Sequence, residues 1–305
     1  MDRNSIYYKQ VQLLVRILPF VAKEKCFALK GGTAINLFLR DLPRLSVDID
    51  LVYLPMDDRT TALQQVGEAL ERIIQDIKTS LPGVQAGRPN QAPDGLRLLI
   101  VQQGVQIKLE LSPVLRGSVF PPEEKDVVDA VEAIFGYASM QVMSFADVYA
   151  GKICAALDRQ HPRDLFDIKW LLENEGMTDD LRKTFLVYLI SGNRPMAELL
   201  NPHRKDIRAV YEGEFANMAE IHVSVEELEE AREDLIQAIH QGLTGDEKQF
   251  LLSFKGRSPN WSLLGLVGIE DLPAVKWKLL NLNKMPEDKH TLALDKLHKA
   301  LNRDM

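Results

Sequence analysis

Two aspartates lie one residue apart in the segment Val47-Asp48-Ile49-Asp50-Leu51, where apolar and acidic residues alternate. Alternation with period two is typical of a β-strand, because successive side chains point to opposite faces of a sheet. Asp48 and Asp50 therefore share a face, where their like charges repel unless a cation neutralises them. Carboxylate oxygens are ligands that Mg²⁺ prefers, usually together with substrate phosphates. The spacing predicts a divalent-metal site, and an ordinary surface strand is the alternative.

A glycine turn precedes this strand. Gly31-Gly32-Thr33 follows the strand-like run Phe27-Ala28-Leu29 and opens a predicted helix of residues 33–40. Backbone N–H groups at the start of a helix attract anions, and the Thr33 hydroxyl would add a donor. We expect the turn to hold the phosphates of a nucleotide. The alternative is a tight turn that binds nothing.

A third carboxylate lies in a second alternating segment, Val105 to Leu111. Here Gln106, Lys108 and Glu110 share one face, opposite the apolar residues. If this strand neighbours the aspartate strand, Glu110 completes a cluster of three carboxylates with Asp48 and Asp50. The alternative is a solvent-exposed strand face that carries lysine and glutamate.

The elements that must position these residues indicate an α+β fold. A chain of 305 residues exceeds the usual size of one core, so we expect two lobes. Residues 1–143 are predicted to form a core lobe with a mixed sheet, and residues 144–305 an all-helical lobe. Strands are predicted near 27–29, 47–53, 96–102 and 105–111. Helices are predicted near 5–23, 33–40, 60–78, 144–159, 179–192, 225–242, 245–255, 273–284 and 287–303, with Pro162 in the first turn of one more.

Composition places the chain among globular proteins, since 46% of its residues are hydrophobic and 27% are charged. No apolar run reaches the roughly 20 residues that cross a bilayer. Arg16 and Pro19 interrupt the most apolar N-terminal stretch, which favours an amphipathic helix over a signal peptide. The two cysteines, Cys26 and Cys154, lie in apolar contexts and are predicted to be reduced. We therefore expect a cytoplasmic protein without a membrane segment.

The charge distribution says less about function than the motifs do. The formal net charge of −7 does not suggest a general nucleic-acid binder. Basic residues nevertheless gather near the C-terminus, at Lys276, Lys278, Lys284, Lys289, Lys296, Lys299 and Arg303. A solvated helix face is the ordinary explanation, and a docking surface for a phosphate backbone is the alternative. The six histidines show no metal-binding spacing, and His161 is given no catalytic role.

The order of glycine turn, helix, D-x-D strand and separate carboxylate strand is that of the DNA polymerase β-like nucleotidyltransferase fold. Two segments resemble the AbiEii/AbiGii family, whose members are nucleotidyltransferase-like toxins of abortive-infection and type IV toxin–antitoxin systems. These are Leu29-Lys30-Gly31-Gly32-Thr33-Ala34-Ile35 and Arg44-Leu45-Ser46-Val47-Asp48-Ile49-Asp50-Leu51. The resemblance extends over residues 29–170 through Lys108-Leu109-Glu110-Leu111-Ser112, Gly151-Lys152, Arg159 and Arg163-Asp164-Leu165-Phe166-Asp167. The gap between Gly32 and Asp48 is slightly longer than in many members of the wider superfamily.

The resemblance implies roles for individual residues. It implies that Asp48, Asp50 and Glu110 hold Mg²⁺, or Mn²⁺ as the alternative, and that Glu110 helps to deprotonate the acceptor. It assigns the binding of the nucleoside triphosphate to Lys30, Gly31, Gly32, Thr33 and Ser46. In the helical lobe it assigns phosphate contacts and catalysis to Lys152, nucleotide binding to Arg163 and Asp164, and a catalytic, substrate-orienting role to Asp167. From the residues alone, an exposed helix lysine is the favoured interpretation of Lys152, and Arg163 could pair with Asp167 along the helix.

The resemblance also implies a reaction. A toxin of this kind would transfer a nucleoside monophosphate from a nucleoside triphosphate to an acceptor hydroxyl, with the 3′ end of transfer RNA as the leading acceptor and a cognate antitoxin as partner. One alternative is AMPylation of a protein, or self-modification, by the same site. Another is a non-catalytic module that binds a nucleotide or a partner.

Overall fold

The computed structural model describes residues 3–89, 96–216, 218–219 and 221–302. Contacts among these residues define two compact units. The first comprises Met1–Ser144 with Asn217–His222, and the second comprises Phe145–Ala216 with Val223–Met305. The first unit contains the sheet and the second is helical, so the α+β class predicted from the sequence is confirmed.

The described part of the first unit contains one mixed sheet of seven strands. The strands are β1 (Phe27–Lys30), β2 (Asp48–Tyr53), β3 (Val84–Gly87), β4 (Arg97–Gln102), β5 (Val105–Arg116), β6 (Glu123–Asp126) and β7 (Ser139–Val142). Their order across the sheet is β3-β4-β5-β2-β1-β7-β6. The predicted hairpin of β4 and β5 turns at Gln103 and Gly104, whose φ angles of 49° and 79° suit a two-residue turn.

Helices surround this sheet in the first unit and build the second. The first unit contains α1 (Ile6–Val21), α2 (Gly31–Ala34), α3 (Arg59–Ser80) and α4 (Asp129–Phe135), and α2 continues directly into a π-helix at Ile35–Leu39. The second contains α5 (Phe145–Arg159), α6 (Pro162–Asn174), α7 (Asp179–Ser191), α8 (Met196–Leu200), α9 (Arg208–Glu214), α10 (Val225–Gly242), α11 (Gly245–Lys255), α12 (Pro273–Asn283) and α13 (Glu287–Leu301), with 3₁₀ turns at Trp261–Leu263 and Ile269–Asp271.

The predicted helices of the second unit agree closely with these bounds. Helices α10 and α11 span the predicted residues, and each begins with a complete capping box, formed by Ser224 with Glu227 and by Thr244 with Glu247. The reciprocal hydrogen bonds of a capping box satisfy two backbone donors, which fixes the helix start. Arg303, the predicted end of the last helix, lies outside the described residues. No described helix is long and apolar enough to span a membrane.

The apolar face of the sheet determines which way the aspartates point. Ile49 and Leu51 on β2 and Leu29 on β1 are fully buried, while α1 packs against β5 and β7. Removing these side chains from water stabilises the unit by roughly 1.5–3 kcal/mol each. A shift of one residue would expose all of them, so burial fixes the register. Asp48 and Asp50 must therefore lie on the opposite face.

Candidate active site

Four strands bring charged residues into one row across the polar face of the sheet. Asp50 on β2 is paired in register with Lys30 on β1 and with Glu110 on β5. Glu110 is in turn paired with Arg97 on β4. Because residues opposite each other on neighbouring strands share a face, two carboxylates lie side by side in the middle of this row. We call Lys30, Asp50, Glu110 and Arg97 the charged row.

Asp48 lies two residues before Asp50 on the same face, in register with Lys108. The Lys108 ammonium is 3.6 Å from Asp48 Oδ1 and 3.3 Å from Glu110 Oε2. Arg97 forms a close ion pair with Glu110 Oε1. Asp50, by contrast, makes no hydrogen bond or ion pair with any described residue. The sheet thus gathers the three predicted carboxylates and supplies protein cations to two of them.

No group of three His, Cys, Asp or Glu side chains among the described residues is already arranged to hold a metal ion. The carboxylates share a face of two neighbouring strands, but Glu110 is turned towards Arg97 and Lys108. The residues are therefore collected by the backbone register, and their carboxylate oxygens would have to reorient to converge on one ion.

The glycine turn lies against the polar face of the sheet, next to Asp50. Gly31 has a φ of +72°, which favours glycine, and a Cβ built at this position would lie 2.5 Å from Asp50 Oδ2. A Cβ on Gly32 would lie 2.8 Å from the Ser46 hydroxyl and 2.9 Å from Arg44 Nη2. The two glycines thus allow the start of α2 to lie close to the side chains of Asp50, Ser46 and Arg44, which any larger residue at these positions would meet.

Thr33 and Ser46 have a different role from the one expected. Thr33 is fully buried; its hydroxyl donates to the Asp48 carbonyl at 2.5 Å and accepts from the Ser46 hydroxyl at 3.1 Å. Ser46 is only 7% exposed. Because its single proton goes to the Asp48 carbonyl, the Thr33 hydroxyl serves the backbone of β2 and is not available to donate to a phosphate. Both residues connect the glycine turn to the aspartate strand.

Sequence reasoning assigned no function to two residues that support the turn. Asn36, in the π-helix, donates from Nδ2 to the Gly32 carbonyl at 2.9 Å. Arg44 is 2% exposed and donates to the Leu45 carbonyl at 2.9 Å, with its guanidinium beside Gly32. Single-turn π segments are often found at functional sites. The sequence signals for Arg44 were its place at the start of the family-like segment that ends at Leu51 and its apolar neighbours Pro43 and Leu45.

A buried ion cluster lies within the second unit. Lys152 on α5 places its ammonium 2.7 Å from Asp164 Oδ1 and 2.9 Å from Asp167 Oδ2, both on α6. The lysine side chain is 6% exposed and each aspartate is 1% exposed. Arg159 adds hydrogen bonds of 2.5 Å and 3.0 Å to Asp164. Lys152 is therefore neither an exposed helix lysine nor an unengaged cation, since two carboxylates already bind its ammonium.

Charge pairing governs the protonation of this cluster. Burial by itself would raise the pKa of Asp164, but the ammonium of Lys152 and the guanidinium of Arg159 outweigh it, so the pKa lies well below its usual value. A depressed carboxyl pKa stabilises the fold above the ordinary pKa of about 4, and this stabilisation is lost as the pH falls towards the folded-state value. The ion cluster is thus intact at neutral pH.

The start of α6 places Arg163 near other polar groups. His161 caps this helix by accepting a hydrogen bond from the Arg163 backbone at 3.1 Å, and Pro162 occupies the first turn as predicted. The Arg163 guanidinium lies 3.7 Å from Glu214. Burial lowers the pKa of His161, which keeps its ring neutral at pH 7. His161 therefore has a structural contact at the start of α6.

Comparisons with known proteins bear on both units. A family model described as "Nucleotidyl transferase AbiEii toxin, Type IV TA system" matches residues 12–279. Among solved structures, the chain is similar to MenT4, a nucleotidyltransferase toxin from Mycobacterium tuberculosis H37Rv, with a TM-score of 0.62, 14% identity and coverage of 91% of this chain and 93% of that one. JHP933 from Helicobacter pylori gives a TM-score of 0.43 and 19% identity, over 80% of this chain and 94% of that chain. No curated protein sequence matches.

Replacement of Gly31 tests the close approach of the turn to Asp50. We expect Gly31→Ala to cost more stability than Gly104→Ala, because both positions have positive φ but only at Gly31 would a Cβ collide with a neighbour. Backbone strain alone costs roughly 1–3 kcal/mol. Urea unfolding of the two variants measures the difference, and equal losses would show that the Asp50 contact imposes no constraint.

Replacement of Lys152 tests the buried ion cluster. We expect Lys152→Met to cost about 3–5 kcal/mol at pH 7, because two buried carboxylates lose their ammonium partner. The matched control is Lys276→Met, which removes an exposed pair with Asp271 and should cost less than about 1 kcal/mol. Urea unfolding between pH 7 and pH 3 should show the Lys152→Met deficit shrinking as the carboxylates protonate. A loss in the free energy of unfolding no larger than that of Lys276→Met would show that the ion cluster does not stabilise the fold.

Proposed function

The chain belongs to the AbiEii family of nucleotidyl transferase toxins of type IV toxin–antitoxin systems, and we propose that it transfers a nucleoside monophosphate from a nucleoside triphosphate to a hydroxyl of an acceptor RNA. The family predicted from the motifs is confirmed. The observation that carries the proposed reaction is the strand register, which sets Asp50 beside Glu110 with Asp48 on the same face. The glycine turn lies directly against Asp50.

The carboxylates have the chemistry of a site for Mg²⁺ or Mn²⁺. They offer only hard oxygen ligands, which these ions prefer. Two observations support a cation here: Asp50 forms no ion pair with any described residue, and the ammonium of Lys108 lies near both Asp48 and Glu110. Asp48, Asp50 and Glu110 would therefore hold the metal. When bound, such an ion stabilises the negative charge on the attacking and leaving oxygens.

The glycine turn is proposed to receive the triphosphate. Gly31 and Gly32 carry no side chain that would keep a phosphate from the backbone N–H groups, and such groups at a helix start attract anions. Lys30 lies next to Gly31, in register with Asp50, and would add positive charge. Thr33 and Ser46 support nucleotide binding indirectly, because their hydroxyls bond to each other and Thr33 also bonds to the Asp48 carbonyl.

The proposed reaction is an in-line displacement at the α-phosphorus. The acceptor hydroxyl oxygen forms a bond to this phosphorus while the bond to the bridging oxygen of the β-phosphate breaks, and pyrophosphate leaves. Glu110 accepts the hydroxyl proton. Most of the rate enhancement in such a site comes from positioning and from fixed charges. For this reason the residues that hold Asp48 and Asp50 in place matter as much as the ligands themselves.

The helical unit is proposed to contribute mainly through its ion cluster. Lys152, Asp164 and Asp167 bind one another, which supports a positioning role for all three. Their pairing links α5 to α6. It thereby fixes the positions of Arg159 and Arg163, whose side chains are partly exposed. We propose that Arg163 meets the negative charge of the substrate. Lys152 would affect the reaction through this arrangement and not through a direct phosphate contact.

Transfer RNA is the proposed acceptor, and a cognate antitoxin is the partner that membership of a type IV toxin family implies. The basic residues of α12 and α13 support an RNA acceptor, because Lys276, Lys289 and Lys296 are exposed on the second unit. Contacts between lysines and phosphates supply most of the sequence-independent affinity for nucleic acid. The net charge of −7 favours a small, local RNA contact over an extended one.

Substitution of Asp50 tests the proposed function. We expect the wild type, incubated with transfer RNA, Mg²⁺ and each labelled nucleoside triphosphate in turn, to place label on the RNA 3′ end. Asp50→Asn should reduce this labelling by at least about 100-fold, the loss typical when one stabilising group is removed from a transition state. The control Asp76→Asn changes an exposed aspartate of α3 that pairs with Lys23, and should keep full activity.

The other outcomes separate the alternatives. Label that appears only in protein would contradict the RNA acceptor and indicate AMPylation or self-modification by the same site. Nucleotide binding without turnover, together with toxicity that survives Asp50→Asn, would indicate a non-catalytic module. Digestion with ribonuclease before gel analysis distinguishes labelled RNA from labelled protein.

A further inference from the structure

The polar face of the sheet around Asp48, Asp50 and Glu110, here called the acidic face, carries two cations to which the proposed reaction gives no role, Arg97 and Lys108. The one that contacts two of these carboxylates is Lys108. It lies on β5 two residues before Glu110 and in register with Asp48. Its ammonium neighbours one oxygen of each, at 3.6 Å from Asp48 Oδ1 and 3.3 Å from Glu110 Oε2, while Arg97 binds the other oxygen of Glu110. A protein cation therefore stands beside two of the three carboxylates that would hold the metal.

The ion pairs of Lys108 are loose. Its side chain is 39% exposed, and both contacts are longer than the 2.7–2.9 Å of a strong charge-assisted hydrogen bond. Lys152 provides a contrast within the same chain, since it is 6% exposed and lies 2.7 Å and 2.9 Å from its carboxylates. Exposed pairs such as those of Lys108 contribute little to stability. Fold stability therefore does not account for a lysine at this position.

We propose that Lys108 is a displaceable counter-ion, which neutralises the carboxylates in the absence of metal and withdraws when a divalent ion binds. This inference rests on the proposed function, because it concerns the same metal site. A metal ion and an ammonium cannot both occupy the oxygens of Asp48 and Glu110, so each lowers the affinity for the other. It also explains why Glu110 is turned towards cations while no metal-binding group of three is formed among the described residues.

Displacement of Lys108 couples the metal to the nucleotide. Once released, the ammonium lies on the face that the triphosphate approaches, where it adds one positive charge on a flexible side chain. Metal binding therefore raises the affinity for the nucleotide, and the nucleotide raises the affinity for the metal by the same factor. Lys108 acts through the carboxylates, whose negative charge it balances. It is not a ligand of the metal.

Direct measurement of Mn²⁺ binding tests this proposal without any reaction. Electron paramagnetic resonance of free Mn²⁺, titrated into the full chain without nucleotide, gives the dissociation constant. We expect Lys108→Gln to bind Mn²⁺ about two- to fivefold more tightly than the wild type, the range that one exposed ion pair supports. Lys108→Arg, which keeps the charge, should stay within about twofold of the wild type on the same grounds.

Lys125→Gln is the matched control. Lys125 lies on β6, two residues after Glu123, and its ammonium is 2.6 Å from that carboxylate. Its side chain is 30% exposed, close to the value for Lys108, and it is not part of the acidic face. We expect Lys125→Gln to leave Mn²⁺ binding unchanged. An equal gain in both glutamine variants would show a general effect of net charge and would overturn the proposal.

The nucleotide supplies the second measurement. At saturating Mn²⁺, Lys108→Gln should bind a non-hydrolysable nucleoside triphosphate more weakly than the wild type, because the released cation is missing. Mn²⁺ affinity that is unchanged or weaker in Lys108→Gln would overturn the counter-ion role while leaving the metal site intact. Absence of Mn²⁺ binding in the wild type and in every variant would overturn the metal site itself, and with it the proposed function.

Discussion

Repulsion between neighbouring carboxylates is the constraint on which the rest of the site depends. Burial of Ile49 and Leu51 holds Asp48 and Asp50 on the polar face of β2, and the parallel register with β5 adds Glu110 directly beside Asp50. Like charges opposite each other on a sheet are destabilising. The hydrophobic effect, which stabilises the whole unit, supplies the free energy that keeps these charges together. Cations must then balance them.

The loop between β1 and β2 keeps this arrangement in place. Gly31 allows the start of α2 to lie against Asp50, and the hydroxyl of Thr33 donates to the carbonyl of Asp48. Arg44 lies beside Gly32, and the Leu45 backbone donates to the Met218 carbonyl at 2.8 Å. In the proposed site, backbone and carboxylates are the groups that would meet the nucleotide, whereas the buried hydroxyls and the arginine set their positions. Such a division suits a reaction that depends on preorganised charge.

Local patterns in the sequence predicted the elements and the faces of the strands, but not the partners of individual side chains. Period-two alternation identified β2 and β5, and the capping residues Ser224 and Thr244 mark the starts of α10 and α11. These features depend on residues close together in the chain. The burial of Lys152 between Asp164 and Asp167 depends on how α5 packs against α6, which no local pattern encodes.

The glycine turn shows the same limit of prediction from local sequence patterns. Its position after β1 was predictable, but the π-helix at Ile35–Leu39 and the commitment of the Thr33 hydroxyl to Asp48 follow from tertiary packing. The proposal that Lys108 balances the carboxylates likewise depends on the pairing of β2 with β5. Motifs therefore predict which residues gather at the site, and the fold decides which of them are free to act on a ligand.

The central claim is that Asp48, Asp50 and Glu110 form one cation site next to the glycine turn. A crystal structure of the full chain with Mn²⁺ and a non-hydrolysable nucleoside triphosphate tests it most directly, because anomalous scattering locates the metal without reference to activity. Manganese bound by oxygens of Asp48 and Asp50, with phosphates at Gly31 and Gly32, is the expected result. Manganese and phosphates bound elsewhere, with Lys108 still between Asp48 and Glu110, would contradict it.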